Sequence, residues 1–213
     1  MASPKEMRNA KLGEKMVKAL EARHFEAYYC ATKEEAKDLA LSLIPEGSSI
    51  TWGGTETIAE IGLKQALKEG NYNAYDRDDL PTMEEKQELY RKAFSMDVFL
   101  ASTNAISEDG VLVNIDGTGN RVAAMTFGPK KVIVIAGMNK VAKTVEDAVV
   151  RARTVAAPIN CQRFASLKTG CNVSGACENC KSADSICAYF SEIRISRPPK
   201  RVCVILVGEE LGF

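Results

Sequence analysis

The residues best suited to chemistry crowd into one stretch, Cys171-Asn172-Val173-Ser174-Gly175-Ala176-Cys177-Glu178-Asn179-Cys180, continued through Ser185-Ile186-Cys187. Four of the chain's seven cysteines occur here in the pattern C-x5-C-x2-C-x6-C, with Gly170 and Gly175 to bend the backbone. Cys171, Cys177, Cys180 and Cys187 are therefore expected to be metal ligands. Their thiolates could stand about 2.3 Å from one zinc, or at the corners of an iron-sulfur cube. The short gap between Cys177 and Cys180 lets both sulfurs point at one centre. On spacing alone zinc and a [4Fe-4S] cluster stand level, because the pattern is neither a paired-knuckle zinc ribbon nor the tight ferredoxin run.

Disulfides are the competing use of such cysteines. Met1-Ala2-Ser3-Pro4 leads straight into a charged amphipathic segment with no signal peptide ahead of it, so a reducing, cytoplasmic setting is expected. Cys30, Cys161 and Cys203 read as small buried hydrophobes, Cys203 within the apolar run Val202-Cys203-Val204-Ile205-Leu206-Val207. Cys161 is near enough in sequence to the cluster to be a spare ligand. His24 is the sole histidine, which argues against a His-rich metal site and a Ser-His-Asp device. It ends a helical pattern and reads as a surface or helix-terminus residue.

The elements that must position the cysteines belong to an ordinary globular chain. With 213 residues and 46% hydrophobic content it can bury a full core, most simply as a single domain over 1–213 with the cysteine-rich segment 160–199 as an appendage. Lys+Arg and Asp+Glu both number 28, so no net field favours nucleic acid or a membrane surface. No apolar run approaches the roughly 18 to 20 residues that span a bilayer.

Apolar residues at helical spacing between Lys5 and Arg23 predict an opening amphipathic helix. A strand over 26–29 follows, then a helix from the capping-box sequence Thr32-Lys33-Glu34-Glu35 to about Leu43. The remaining reading is strand 49–52, helix 58–68, short strand 73–75, helix 82–94, strand 97–102, strand 111–115 after a turn at Glu108-Asp109-Gly110, helix 120–126 and strand 131–136. A helix over about 143–156 is expected to end before Pro158, and a last strand occupies 201–207. Strands alternating with helices predict an α/β fold, with a largely parallel sheet and helices on both faces. The stretch 160–199 is long for a loop without a core of its own, and metal would organise it.

Ligands of open α/β sheets bind beyond the carboxyl ends of the strands. Three polar loops are expected there: 53–57, 102–107 and 116–121. In the first, Gly53, Gly54, Thr55 and Thr57 offer unpaired N–H groups and hydroxyls at a helix start, suited to carboxylate or phosphate. In the third, Asp116, Gly119 and Asn120 precede Arg121, whose guanidinium could grip an anion at two points. Asn104 lies in the second loop, and Lys140 after the 131–136 strand could add a cation. Plainer roles compete: a Gly-Gly turn, a helix cap at Asn120, a surface ion pair at Arg121. Glu108 offers a carboxylate nucleophile or base, although a hairpin turn at Asp109-Gly110 is the simpler reading.

These loops give the chain a resemblance to the LUD-domain family of lactate-utilisation proteins, in its short single-domain form with a C-terminal four-cysteine cluster. It is carried by Trp52-Gly53-Gly54-Thr55-Glu56-Thr57, Ser102-Thr103-Asn104-Ala105-Ile106, Asp109-Gly110-Val111-Leu112-Val113-Asn114, Asp116-Gly117-Thr118-Gly119-Asn120-Arg121 and Gly128-Pro129-Lys130-Lys131. It covers nearly the whole chain. Thr55 stands where serine is expected, keeping the hydroxyl, and Thr169-Gly170 precedes Cys171 where a proline is frequent.

The resemblance implies a fold like that of ribose-5-phosphate isomerase and CoA-transferase domains, and a link to bacterial lactate oxidation in an iron-sulfur complex. It favours iron. The expected function is then a redox protein, an oxidoreductase or a subunit of one. It would bind a small hydroxy- or oxo-carboxylate near Gly54, Asn120 and Arg121, and carry a [4Fe-4S] cluster that serves an electron-transfer partner. An oligomer is compatible with this. The alternatives are an anion-binding or assembly module with a structural zinc and, ranked last, acyl-transfer or sugar-phosphate chemistry at Glu108.

Overall fold

The computed structural model describes residues 2–213. Ser3 caps α1 (Pro4–Ala22) in a reciprocal pair with Glu6, and Met16 and Leu20 on one face of this helix are buried. The chain then runs through β1 (Glu26–Cys30), α2 (Lys33–Ser42), β2 (Ser49–Trp52), α3 (Thr57–Glu60) and α4 (Leu63–Glu69). Next come β3 (Asn73–Tyr75), α5 (Met83–Lys92), β4 (Val98–Ala101), β5 (Ala105–Ser107), β6 (Leu112–Asp116) and α6 (Asn120–Thr126). The last third holds β7 (Lys131–Gly137), β8 (Val141–Ala142), α7 (Val145–Arg151), α8 (Ala157–Cys161), α9 (Gly170–Ser174), β9 (Tyr189–Ile193) and β10 (Val202–Val207).

Six strands form a wholly parallel sheet in the order β1-β10-β7-β4-β2-β3. Its central strands are apolar on both sides, as a sheet covered on both faces requires. Alternation along β10 separates the two cores: Cys203, Ile205 and Val207 meet α2, α3 and α4, while Val202, Val204 and Leu206 meet α1 and α6. Cys30 and Cys203 sit in the first core as apolar filler.

A second sheet, ordered β8-β5-β6-β9, was not expected from sequence. It mixes parallel and antiparallel pairs and packs Ile106 and Leu112 into the α1 side of the main sheet. Its other face meets α7 through Ala105, Val113, Ile115, Ala148 and Ala152. Part of the supposed loop 160–199 is therefore β9, an edge strand paired with β6, rather than chain that only a metal could order.

Two helix boundaries also depart from expectation. The 58–68 helix breaks at Gly62, whose φ of +73° ends α3 and starts α4. The helix over 143–156 does not stop before Pro158. A π-turn over Ala152–Ala156 widens the coil ahead of the proline, so α8 continues without the missing N–H or the ring disturbing a regular turn. His24 ends α1 in the left-handed region at φ +62°, exposed at the helix terminus.

Candidate functional site

The loops after β2, β3, β4, β7 and β10 leave the main sheet at its carboxyl edge and surround a cleft of about 210 Å³. Gly54, Thr55, Thr57, Asn104, Asp116, Asn120, Arg121 and Lys140 all line it. Gly53 and Gly119 lie behind this lining and make it fit. A Cβ on Gly53 would press on the Arg121 side chain at 3.0 Å, and one on Gly119, at φ +84°, would meet the Tyr189 ring at 3.2 Å.

Arg121 does not offer its guanidinium to a ligand. Nε donates to Asp116 Oδ2 at 3.2 Å. Nη1 donates to the Ser102 carbonyl at 3.0 Å and to Asn114 Oδ1 at 2.7 Å. Nη2 donates to Asn104 Oδ1 at 2.9 Å and to the Ile115 carbonyl at 2.8 Å. A guanidinium has five N–H donors and all are used. Arg121, Asp116 and Asn104 thus form a half-buried brace that ties the loop after β4 to β6 and α6, which corrects the expectation of a two-point anion clamp. Asp116 Oδ1 also accepts the Thr118 and Gly119 N–H groups at 3.2 and 2.9 Å and so shapes the turn into α6.

The cation left over is Lys140, only 3% exposed on the cleft floor. Its Nζ donates to Ser102 Oγ at 2.9 Å and Thr57 Oγ1 at 3.2 Å, and no carboxylate among the described residues pairs with it. Burial first, and repulsion from Arg151 and Arg121 second, against a weaker pull from Glu60, bring the Lys140 ammonium down to a pKa of about 7. Arg151 positions it, donating from Nε to the Asn139 carbonyl at 2.9 Å and from Nη1 to the Asn104 carbonyl at 2.5 Å. Thr55 Oγ1 is buried with no partner. Two hydroxyls and an ammonium therefore meet on the floor of the cleft that Thr55 also lines, where an anion would lie.

Sequence reasoning missed the rim. Arg77 lies across Gly54, where a Cβ would collide with its guanidinium, and its Nη1 is 3.4 Å from Tyr90 Oη. Arg163 forms a 2.6 Å ion pair with Glu56 at the mouth. Asn160, Phe164 and Ile186 complete a wall drawn from the cysteine-rich segment. Ser102 opens the polar loop expected over 102–107 without being singled out there as a site residue; Arg77, Arg163 and Ile186 carried no signal as lining residues.

Glu108 lies outside the cleft, at the β5–β6 turn. Its Oε2 is 2.8 Å from both Lys143 Nζ and Lys15 Nζ, and these bonds hold the carboxyl below its ordinary range. A carboxylate so paired, away from the ligand space, is a structural contact rather than a nucleophile or base.

Cys171, Cys177, Cys180 and Cys187 line a second, smaller cleft of about 70 Å³ walled by Arg153, Ala157, Pro158 and Phe190. The nearby backbone N–H groups of Gly170 and Ser182 bring the Cys180 thiol down, while burial and the neighbouring sulfurs push Cys187 up to about 11. Four cysteines along one cleft make a donor set of the kind a thiolate-ligated centre uses. Among the described residues, no group of three or more His, Cys, Asp or Glu side chains is drawn in to ligating geometry. Cys161 is not ordinary filler like Cys30 and Cys203. Its Sγ is 3.1 Å from Thr169 Oγ1, which is 3.4 Å from Cys171 Sγ.

No helix among the described residues is long and apolar enough to cross a membrane. A family model described as the LUD domain matches residues 13–207. Among solved structures, a DUF162 family protein from Deinococcus radiodurans aligns with TM-score 0.56 at 10% identity, over 93% of this chain and 98% of that one, which shows a shared fold. Ribose 5-phosphate isomerase A from Methanocaldococcus jannaschii aligns at TM-score 0.35 and 15% identity, over 53% of this chain and 55% of its own. Chaetomium thermophilum eIF2B delta gives 0.35 at 20% identity, over 62% and 52%. These last two likenesses are too slight to carry an argument. A search of curated proteins found no match.

Proposed function

Since the chain belongs to the LUD domain family, we propose that it is a redox protein of the lactate-utilisation type, binding a small hydroxy- or oxo-carboxylate in the Lys140 cleft. The observation that carries the reading is Lys140 itself, a buried amine with hydroxyl neighbours and, among the described residues, no carboxylate partner, facing the ligand space. A buried charge is retained only where something compensates it, and an incoming carboxylate supplies that compensation. Thr57 and Ser102 orient the ammonium, and Thr55 offers the anion a further hydroxyl. Arg77 and Arg163 at the mouth attract it.

Cys171, Cys177, Cys180 and Cys187 would hold a [4Fe-4S] cluster, with the nearby Gly170 and Ser182 N–H groups favouring the Cys180 thiolate. Such a cluster supplies one-electron transfer, which side chains do not. Ile186 and Cys187 are adjacent residues, one lining each cleft, so the ligand and the metal centre would share a wall. An electron-transfer protein would then dock near the exposed Cys177 and Cys180.

Metal analysis and a visible spectrum of protein purified without oxygen test this. About four irons and four sulfides per chain, with absorption near 400 nm, are expected. L-Lactate and pyruvate are then titrated calorimetrically against wild type and Lys140→Met, and binding should be lost in the variant. A second reading is favoured by the chain from 162 to 188, in which the five-residue α9 is the only regular element. There the four thiolates would hold zinc as a staple and the cleft would sense or present an anion. One zinc per chain without colour would establish it over the redox reading.

A further inference from the structure

We infer that Lys140 is a nucleophile that captures a small oxo-acid covalently, as an imine, on the floor of the cleft. The inference rests on the carboxylate-binding reading and goes beyond it by assigning a bond to the same residue.

Three features of the geometry point to it. Nζ is buried yet borders the ligand space, and among the described residues its hydrogen-bond partners are the Ser102 and Thr57 hydroxyls. A neutral amine accepts from such hydroxyls as readily as an ammonium donates to them. Second, the cations that face it, Arg121 and Arg151, are each fixed by bonds to other groups, so they repel the ammonium without competing for the ligand. A lysine desolvated beside other cations is the usual way an amine is made reactive at neutral pH. Third, room is kept for a substituent. Gly212 stands beside the amine at φ +53°, and a Cβ there would come within 3.2 Å of Nζ and 2.8 Å of Thr57 Oγ1.

In the reaction the Nζ lone pair adds to the carbonyl carbon, and two protons leave nitrogen as the carbonyl oxygen departs as water. The carbon–nitrogen double bond that forms replaces the carbon–oxygen one, and nothing is oxidised or reduced. Protonated, the product is an iminium. It restores a positive charge beside the ligand's own carboxylate, so one atom serves both anion recognition and covalent capture. Ser102 Oγ, 2.9 Å from Nζ, is placed to pass protons during loss of water.

The experiment incubates the full chain with pyruvate or glyoxylate and cyanoborohydride, which delivers hydride to an iminium carbon and fixes it as a secondary amine. Intact mass and peptide mapping follow, with calorimetric titration of the same acids in parallel. One reduced adduct per chain, mapped to Lys140 and lost in Lys140→Arg, is expected. Mapping in the wild-type protein keeps the test decisive if that variant fails to fold. An adduct spread over surface lysines, or retained in Lys140→Arg, overturns the inference. Calorimetric binding without any adduct overturns it too, while leaving the carboxylate site standing. Neither binding nor adduct with either acid overturns both.

Discussion

Gly117 and Ile186 approach so closely that a Cβ on Gly117 would stand 3.1 Å from the Ile186 Cα and 3.5 Å from its carbonyl carbon. The turn that leads into α6 therefore seats the cysteine-rich segment directly, backbone against backbone, one residue from Cys187. The two clefts are mechanically joined at this point. In Gly117→Ala the Ile186 main chain must retreat by a few tenths of an ångström, at a cost of about 1 kcal/mol. Hydrogen exchange is expected to quicken over residues 184–188 while β4, β7 and β10 keep their protection. Unchanged exchange over 184–188 would show that the contact does not hold the segment.

Arg121 is predicted to matter for stability more than for affinity. Lysine at this position has three donors on a flexible stem, against five in a fixed fork, and leaves the Asn104, Asn114 and Asp116 oxygens short of partners. Losing several charge-assisted hydrogen bonds from a half-buried network in this way costs roughly 3 kcal/mol. For a chain of this length that is a melting temperature lower by roughly 10 °C, read by calorimetry on Arg121→Lys. A shift within a degree or two would mean that the brace is dispensable.

Asp76 provides an acid-side test. Its carboxylate is buried between Lys64 and Lys68, with Oδ2 2.8 and 2.7 Å from their ammonium nitrogens. Burial alone would push its pKa up, but the two lysines and the Asp78 N–H outweigh this and hold the carboxyl at about 2, against an ordinary 3.8. The folded form thus binds the proton less readily than the unfolded chain. The stability this contributes is complete above about pH 4 and is lost as pH falls toward 2. Denaturant unfolding of Asp76→Asn should show a flatter pH dependence across that window than wild type does.

Much of the fold was legible because its signals are local. Thr32-Lys33-Glu34-Glu35 marks a helix start in its own four residues, with the Glu35 N–H bonded to the Thr32 hydroxyl, and the apolar run around Cys203 is the buried strand it reads as. The second sheet was not legible. β5 and β8 are three and two residues long, and β9, Tyr-Phe-Ser-Glu-Ile, is an exposed edge that becomes a strand only by pairing with β6. Which polar residues share a cleft followed from the rule that strand ends collect ligand loops. Which of them stay free did not follow. Arg121 and Lys140 look alike as isolated cations, and only the three-dimensional arrangement shows one consumed by five acceptors and the other left with two hydroxyls.

Metal removal should act on the cysteine-rich segment and not on the sheet. Helix α9 and the turns around Cys180 have little apolar burial, whereas β9 is held by β6. Chelation or mild acid is expected to raise exchange over 168–188, with the main-sheet melting transition within about 1 kcal/mol of its starting stability. Cys180→Ser should abolish metal binding. Cys161→Ser should retain it, because Cys161 is fully buried behind Thr169 and does not line the cleft of the four cysteines. Loss of metal in Cys161→Ser would make it a ligand in place of one of the four.

Lys140 sets stability against binding, and pH separates the two. Its folded pKa is depressed to about 7 from an ordinary 10.5, so between these values the unfolded chain holds more protons than the folded one. Stability must therefore rise with pH across that window, and below about pH 7 the full cost of a buried ammonium is present. Lys140→Met removes that cost, so the variant is expected to be more stable at pH 6 by on the order of 3 kcal/mol, a gain that fades toward pH 10. Anion binding should behave oppositely. L-Lactate has no carbonyl to form an imine, so its affinity reports the ammonium alone. It should be level below about pH 7 and fall by about tenfold per unit above it, as binding has to draw in a proton. A Lys140→Met protein less stable than wild type at pH 6, or lactate affinity indifferent to pH between 7 and 9, would show that the amine is compensated by a partner within the fold.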